Sequence, residues 1–244
     1  MLTKKIHLLG FIVLGLVLLT VPNTYAGHEQ QQSSSKPMNK NSKITCQKID
    51  VRCAKTVTSA FAPNGDLWRL WSQSQGLYYQ VSADNGVKFS VAKRVPIANE
   101  KISARNENRP KIAFDNNQGI YLSWAMSREK KYTADIRFSY SRDYGKFFSP
   151  AITVNDDNLL TGHSFNEMAV NEHGEVSIVW LDGRLKQSKK SSQGSAIFMA
   201  TANIKNPQTD FGDQVSVKQD LVNQRFVNKE VVNGTCVCCR LAID

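Results

Sequence analysis

An aspartate and an arginine on either side of a glycine, directly after an apolar strand, form a pair that can hold or protonate a ligand. Trp180-Leu181-Asp182-Gly183-Arg184 is such a segment. The same two side chains can equally pin their own loop, and that reading stands beside the chemical one. A second concentration of chemistry is Cys236-Val237-Cys238-Cys239-Arg240. Clustered thiols suit a soft metal such as copper(I) or zinc, but they also suit disulfides or a redox role. There is no Cys-x-x-Cys-His for covalent haem, and His7, His28, His163 and His173 form no pair at metal-ligand spacing.

These residues need a scaffold, and the first stretch to set aside is the N-terminus. Lys4 and Lys5 precede an apolar run from Leu8 to Val21, which Pro22 breaks before Thr24-Tyr25-Ala26. The run is shorter than the roughly 20 residues of a spanning helix, and small residues at a cleavage site follow it. The pattern predicts a signal peptide over 1–26 and a periplasmic or secreted protein. Residues 27–43 are Gln, Ser, Lys and Asn with little to bury, which predicts a flexible leader. In an exported chain disulfides are the default for cysteine, and Cys46 and Cys53 are near enough to close a small loop.

The chain has 244 residues and a net charge of +10, with 41% hydrophobic residues. That composition excludes a disordered polymer. Its lysines and arginines are scattered and do not alternate with aromatics, so they read as a solvated basic surface and predict no nucleic-acid partner.

From Ile44 onward one pattern repeats. Ala60–Leu67 leads to Trp71, Ala113–Ile120 leads to Trp124, and Ala169–Val176 leads to Trp180. Each is a short strand, an Asn/Asp/Gly turn and a second strand ending in Trp, the signature of a hairpin. A further motif, S-x-D-x-G-x-x-F, follows two of them: Ser82, Asp84, Gly86 and Phe89, then Ser141, Asp143, Gly145 and Phe148. Ser and Asp can bond the backbone of a tight turn, Gly supplies a positive φ, and the ring plugs the turn onto the sheet.

On these residues the chain resembles the Asp-box (bacterial neuraminidase repeat) propellers, the superfamily that includes sialidases. The resemblance implies an all-β partial β-propeller with four-stranded blades A to D. Blades are expected at about 57–105, 106–160 and 161–230 within a domain of 44–244. The third Asp box is degraded over Asn206–Gly212, and residues 231–244 start a fourth blade through Arg240–Asp244. A closed ring of this family has about six blades. The chain therefore reads as truncated, or as needing missing blades or another chain.

Alternating strand direction puts the A–B turns and Asp boxes on one face and the D–A and B–C connections on the other. Function is expected on the second face. It carries Arg105 and Arg109, then His163, Asn166 and Glu167, then Arg240, with Arg128, Glu129 and Tyr132 in the second B–C loop. The resemblance implies a glycan or sialoside ligand, with Asp182 as acid, Arg109 and Arg184 as charged catalytic partners, and Arg105, Glu167, His163 and Arg240 as substrate contacts. Arg109-Pro110 is an incomplete match to the family's Arg-Ile-Pro, and the later arginines and tyrosine are not present. The expected function is a sialidase-like exported propeller that is not catalytically competent as this chain. The alternative is a binding or assembly propeller, with a metal or disulfide at Cys236, Cys238 and Cys239 and no other cofactor. No membrane partner is expected once the signal is removed.

Overall fold

The computed structural model describes residues 46–105, 107–187, 194–204, 226–236 and 240–243. The expected signal, the leader, the degraded third Asp box, Cys238 and Cys239 lie outside them. Among the described residues the structure is all-β, with one short helical turn at Arg184–Gln187 (α1) and a 3-10 turn at Val51–Cys53.

Twelve strands make three antiparallel sheets of four. The first holds β1 (Val57–Phe61), β2 (Leu67–Gln73), β3 (Gly76–Ser82) and β4 (Lys93–Arg94). The second holds β5 (Lys111–Phe114), β6 (Ile120–Ser127), β7 (Ala134–Ser141) and β8 (Ile152–Thr153). The third holds β9 (His163–Val170), β10 (Glu175–Asp182), β11 (Ser195–Asn203) and β12 (Val227–Thr235). Within each sheet spatial order follows chain order.

Large apolar side chains on facing strands explain why the sheets pack. Strand alternation sends one set of side chains of each sheet towards the next. Trp68, Leu70 and Tyr79 meet Ile112, Ile120, Leu122 and Trp124 in one core. Ile136 and Phe138 meet Val176, Ile178, Trp180 and Phe198 in the other. Trp71, Trp124 and Trp180 are all fully buried.

The two Ser-x-Asp-x-Gly turns are built alike. Ser82 Oγ donates to Asp84 Oδ1 (2.6 Å) and accepts from Gly86 N (2.8 Å), while Lys88 N donates to Asp84 Oδ1 (2.9 Å). In the second turn Ser141, Asp143, Gly145 and Phe147 repeat these bonds at 2.8, 2.8 and 2.9 Å. Gly145 has φ +83°, and a Cβ there would sit 3.2 Å from the Trp68 ring. Tyr144 reaches out of this turn to the first A–B turn, its hydroxyl 2.8 Å from Asn64 Oδ1 and Asp66 Oδ2. These two kinds of turn therefore share a face, and the connections that could carry function lie on the other.

Two expectations change. Strand β12 runs to Thr235 as the fourth strand of the third sheet, so 231–235 completes that unit rather than opening another. Arg240–Ile243, expected as a first strand, is not in a strand; the described residues give it no ladder partner. Cys46 and Cys53 form the expected disulfide, closing a loop that Gln73 ties to β2. Asp50 N donates to Gln73 Oε1 (3.1 Å), and Gln73 Nε2 donates to the Lys48 carbonyl (2.9 Å).

Candidate functional site

The residues expected on the second face divide into three groups. The first is a wide cleft of about 810 Å³ formed where the Cys53–Lys55 segment, the β2–β3 turn, the Lys101–Asn108 connection, the β6–β7 loop and Gly162–Phe165 converge. Its basic lining is Lys55, Lys101, Arg105, Arg128, Lys130 and Lys131, with Glu129 its one acidic residue among those described. Arg128 is neutralised by Asp135 at 2.8 Å and approaches Glu129 at 3.4 Å. The other five cations have no carboxylate within ion-pair distance among the described residues.

The β6–β7 loop is ordered by its own backbone. Arg128 N donates to the Thr133 carbonyl (2.9 Å), and Thr133 N and Oγ1 both donate to the Lys130 carbonyl (3.2 and 2.7 Å). This tight path puts Tyr132 at φ +64° with 83% of its surface exposed. Lys131 Nζ sits 4.7 Å from the Tyr132 ring centroid.

A second group lies between β5 and β9. Lys111 is buried and paired to Glu167. Burial pulls the Lys111 ammonium below its ordinary pKa, opposed by Glu167 and reinforced by the Arg109 charge. Arg109 is half-buried, and its Nε has no hydrogen-bond partner among the described residues. Arg240 is ion-paired to Glu107 at 2.8 Å. Asn166 Nδ2 donates to Ser123 Oγ (2.8 Å), and Phe165 N donates to Asn108 Oδ1 (2.8 Å).

The third group holds Asp182, Arg184 and His163, the expected acid, its charged partner and a substrate contact, in one buried network. Asp182 is fully buried. Its carboxylate accepts from the Trp180 indole (2.8 Å), Arg184 N (2.8 Å) and Arg184 Nε (2.9 Å). Arg184 also pairs with Asp156 (2.5 Å) and Asp157 (2.9 Å), and its guanidinium lies 4.0 Å over the Phe198 ring. The second sheet solves the same problem with other residues. There the Trp124 indole donates to Glu100 (2.7 Å), which also takes Arg137 Nε (3.1 Å) and Nη2 (2.9 Å). A carboxylate that satisfies a buried indole and an arginine pins its loop, and Asp182 does so here.

His163, expected as a substrate contact, is likewise completely buried. Nδ1 lies 2.6 Å from the Ala134 carbonyl and Nε2 lies 3.0 Å from Asp157 Oδ2. Both partners are acceptors, an arrangement that favours the doubly protonated ring. Burial alone would depress its pKa, but the Asp157 bond, the Asp182 charge and the Ala134 carbonyl together hold it above the ordinary histidine value. Asp157, His163 and Asp182 bring potential ligand atoms together, yet Arg184 already contributes the cationic charge between the two carboxylates.

Cys236 is disulfide-bonded and so offers no thiolate to a metal in this state. Sequence reasoning found Arg105, Arg128, Glu129 and Tyr132 but missed Lys55, Lys101, Lys130 and Lys131 as cleft residues. Lys130-Lys131 beside an aromatic in a B–C loop was the available signal. Asp157 was missed because it follows a two-residue strand in a segment with no repeat signature.

No protein-family model matches the chain, and no curated protein sequence matches it. Solved structures give distant likenesses. A protein of unknown function from Dyadobacter fermentans shares 12% identity over 72% of this chain and 41% of its own, with a TM-score of 0.44. An α-L-arabinofuranosidase from Fusarium graminearum, in complex with an iminosugar inhibitor, shares 14% over 64% and 47%, at 0.42. The NanB sialidase from Streptococcus pneumoniae shares 15% over 61% and 21%, at 0.39. The chain spans less than half the length of each of these proteins.

Proposed function

We propose that this chain is part of an exported, sialidase-like Asp-box propeller whose loop face binds a glycan without cleaving it. The observation that carries the reading is the cleft: an open concavity on the face of the connections, rimmed by an ordered loop that presents Tyr132. An exposed tyrosine gives a flat apolar ring with a polar tip, which suits the mixed faces of a sugar. Volume also fits, since sites for small ligands usually fall at about 300–1,000 Å³.

Catalysis is the weaker reading. Most glycoside hydrolysis needs two carboxyl groups across the scissile bond, and the described cleft lining offers Glu129 alone. Asp182, the expected acid, is consumed by Trp180 and Arg184.

The test pairs binding with turnover on the full chain. An oligosaccharide panel should yield ligands whose affinity drops at least tenfold in Tyr132→Ala, while a fluorogenic sialoside is released no faster than in buffer. Sialoside turnover removed by Asp182→Asn, in a variant that keeps its native unfolding transition, would overturn the non-catalytic assignment.

A further inference from the structure

The charge of the cleft narrows its ligand. We infer that the cleft takes a polyanionic glycan, one carrying sulfate or uronate groups on successive sugars, rather than a neutral or singly charged one. This inference rests on the glycan-binding reading above and goes further by naming the chemical class.

Three observations carry it. Lys55, Lys101, Arg105, Lys130 and Lys131 line one concavity yet come from three separate stretches of chain, and no carboxylate among the described residues pairs with any of them. Like charges brought together without counter-charges repel one another, and the cost is recovered when anions enter. Outside the cleft Lys111 has Glu167, Arg137 has Glu100, and Arg184 has Asp156, Asp157 and Asp182. Other cations there, Lys88, Lys93 and Lys146 among them, have no carboxylate partner among the described residues, so what sets the cleft apart is that five such cations line one concavity.

The second observation is where the cations sit. They enter the lining of a wide, open concavity from three separate stretches of chain. A single carboxylate would meet one or two of them; a chain with an anion on each sugar can meet most at once. Lysine predominates, and ammonium groups act as mobile point charges that tolerate variable anion positions, whereas a planar carboxylate clamp favours arginine.

The third is Tyr132. Its left-handed backbone, φ +64° for a bulky residue, is a conformation that costs on the order of 1–3 kcal/mol. It leaves the ring 83% exposed at the rim beside Lys130 and Lys131. An exposed aromatic among lysines matches a sugar ring between charged substituents. A single-stranded nucleic acid would call for successive exposed aromatics on which its bases stack, whereas the second aromatic of the lining, Phe165, is half-buried.

The experiment uses the full chain and titrates it with a fully sulfated heparin hexasaccharide, its desulfated N-acetylated counterpart, maltohexaose, 3′-sialyllactose and an oligothymidylate of matched charge. The expected result is preferred binding of the sulfated hexasaccharide, weakening as salt rises. Lys130→Glu/Lys131→Glu should lower that affinity at least tenfold. Lys55→Glu should lower it less, and Lys88→Glu/Lys146→Glu, the same charge change on the opposite turns, should leave it within twofold. Maltohexaose or sialyllactose binding equally well, with loss in Tyr132→Ala, would overturn the polyanion class and leave the glycan reading standing. Equal binding of the oligothymidylate would overturn the glycan class. Sulfated-sugar binding unmoved by the Lys130/Lys131 change would overturn the site, and no binding by any sugar would overturn both readings.

Discussion

Asp182 accepts from the buried Trp180 indole and from the Arg184 guanidinium at once. An indole N–H buried without an acceptor is costly, and so is a buried guanidinium without an anion. Asp182 supplies both. Asp182→Ala should destabilise the fold by about 3–5 kcal/mol, the scale of breaking a buried ion pair. Glu129→Ala, on the exposed rim, should change stability by less than about 1 kcal/mol. Urea unfolding of the two variants checks this; equal midpoints would deny Asp182 its structural role.

His163 adds a pH dependence at the same scale. Its surroundings are Asp157, Asp182 and Asp135 at 3.9 Å, with Arg184 and Arg128 neutralising those carboxylates from behind. A histidine whose folded pKa lies above its unfolded value contributes stability that is fully present below the unfolded pKa, about 6.5. That contribution is lost as pH rises through the folded pKa. Asp157 acts in the opposite direction. Burial raises its pKa, but the His163 bond and charge outweigh this and hold it below the ordinary value. Its contribution is present above the unfolded pKa and is lost as pH falls through the folded one. Stability should therefore decline as pH rises from about 6.5 through the folded histidine pKa, and again in acid. His163→Gln should be less stable near pH 6 and lose the alkaline decline. A variant whose unfolding midpoint tracks the parent's from pH 6 to 9 would contradict the imidazolium.

At the scale of elements, much of the fold was legible because it is repetitive. The hairpins ending in Trp71, Trp124 and Trp180, and the Ser-x-Asp-x-Gly turns at Asp84 and Asp143, encode their geometry in adjacent residues. Local hydrogen bonds therefore follow from local sequence. The polar cluster around His163 was not legible for the opposite reason. It depends on a register shift in β9 opposite Val179 and Leu181, with Phe165 at φ +55°, and on Asp157 from the preceding loop. No short-range pattern announces either. The turns also yield a prediction. Asp143→Ala removes acceptors for Ser141 Oγ and Phe147 N and should cost about 1–3 kcal/mol, at about 0.5–1.5 kcal/mol per bond. Gly145→Ala adds a strained positive φ and a clash with Trp68. Both should lower the melting temperature while leaving ligand affinity unchanged, because these turns are on the face opposite the cleft. A matching loss of affinity in folded protein would show that the two faces are coupled.

At the scale of the whole molecule, the cleft was the least legible feature, since Lys55, Lys101 and Lys130 are far apart in sequence and only the stacking of sheets brings them together. Scattered lysines that read as a solvated surface become one electrostatic feature. The wall nearest the first sheet hangs on a short covalent loop. Cys53 and Lys55 line the cleft, and the Cys46–Cys53 disulfide with the Gln73 bonds holds that segment against β2. Closing a loop this short reduces the entropy of the unfolded chain by an amount worth about 2–3 kcal/mol. Cys46→Ser/Cys53→Ser should lower the unfolding free energy by about that much. If the disulfide also fixes the cleft wall, the folded variant should bind the sulfated hexasaccharide several-fold more weakly, with the loss arising in dissociation rather than association, since long-range steering by the remaining cations is unchanged. Unaltered affinity in the serine variant would place the Cys53–Lys55 wall outside the binding site, and a slowed association rate would assign its part to charge steering.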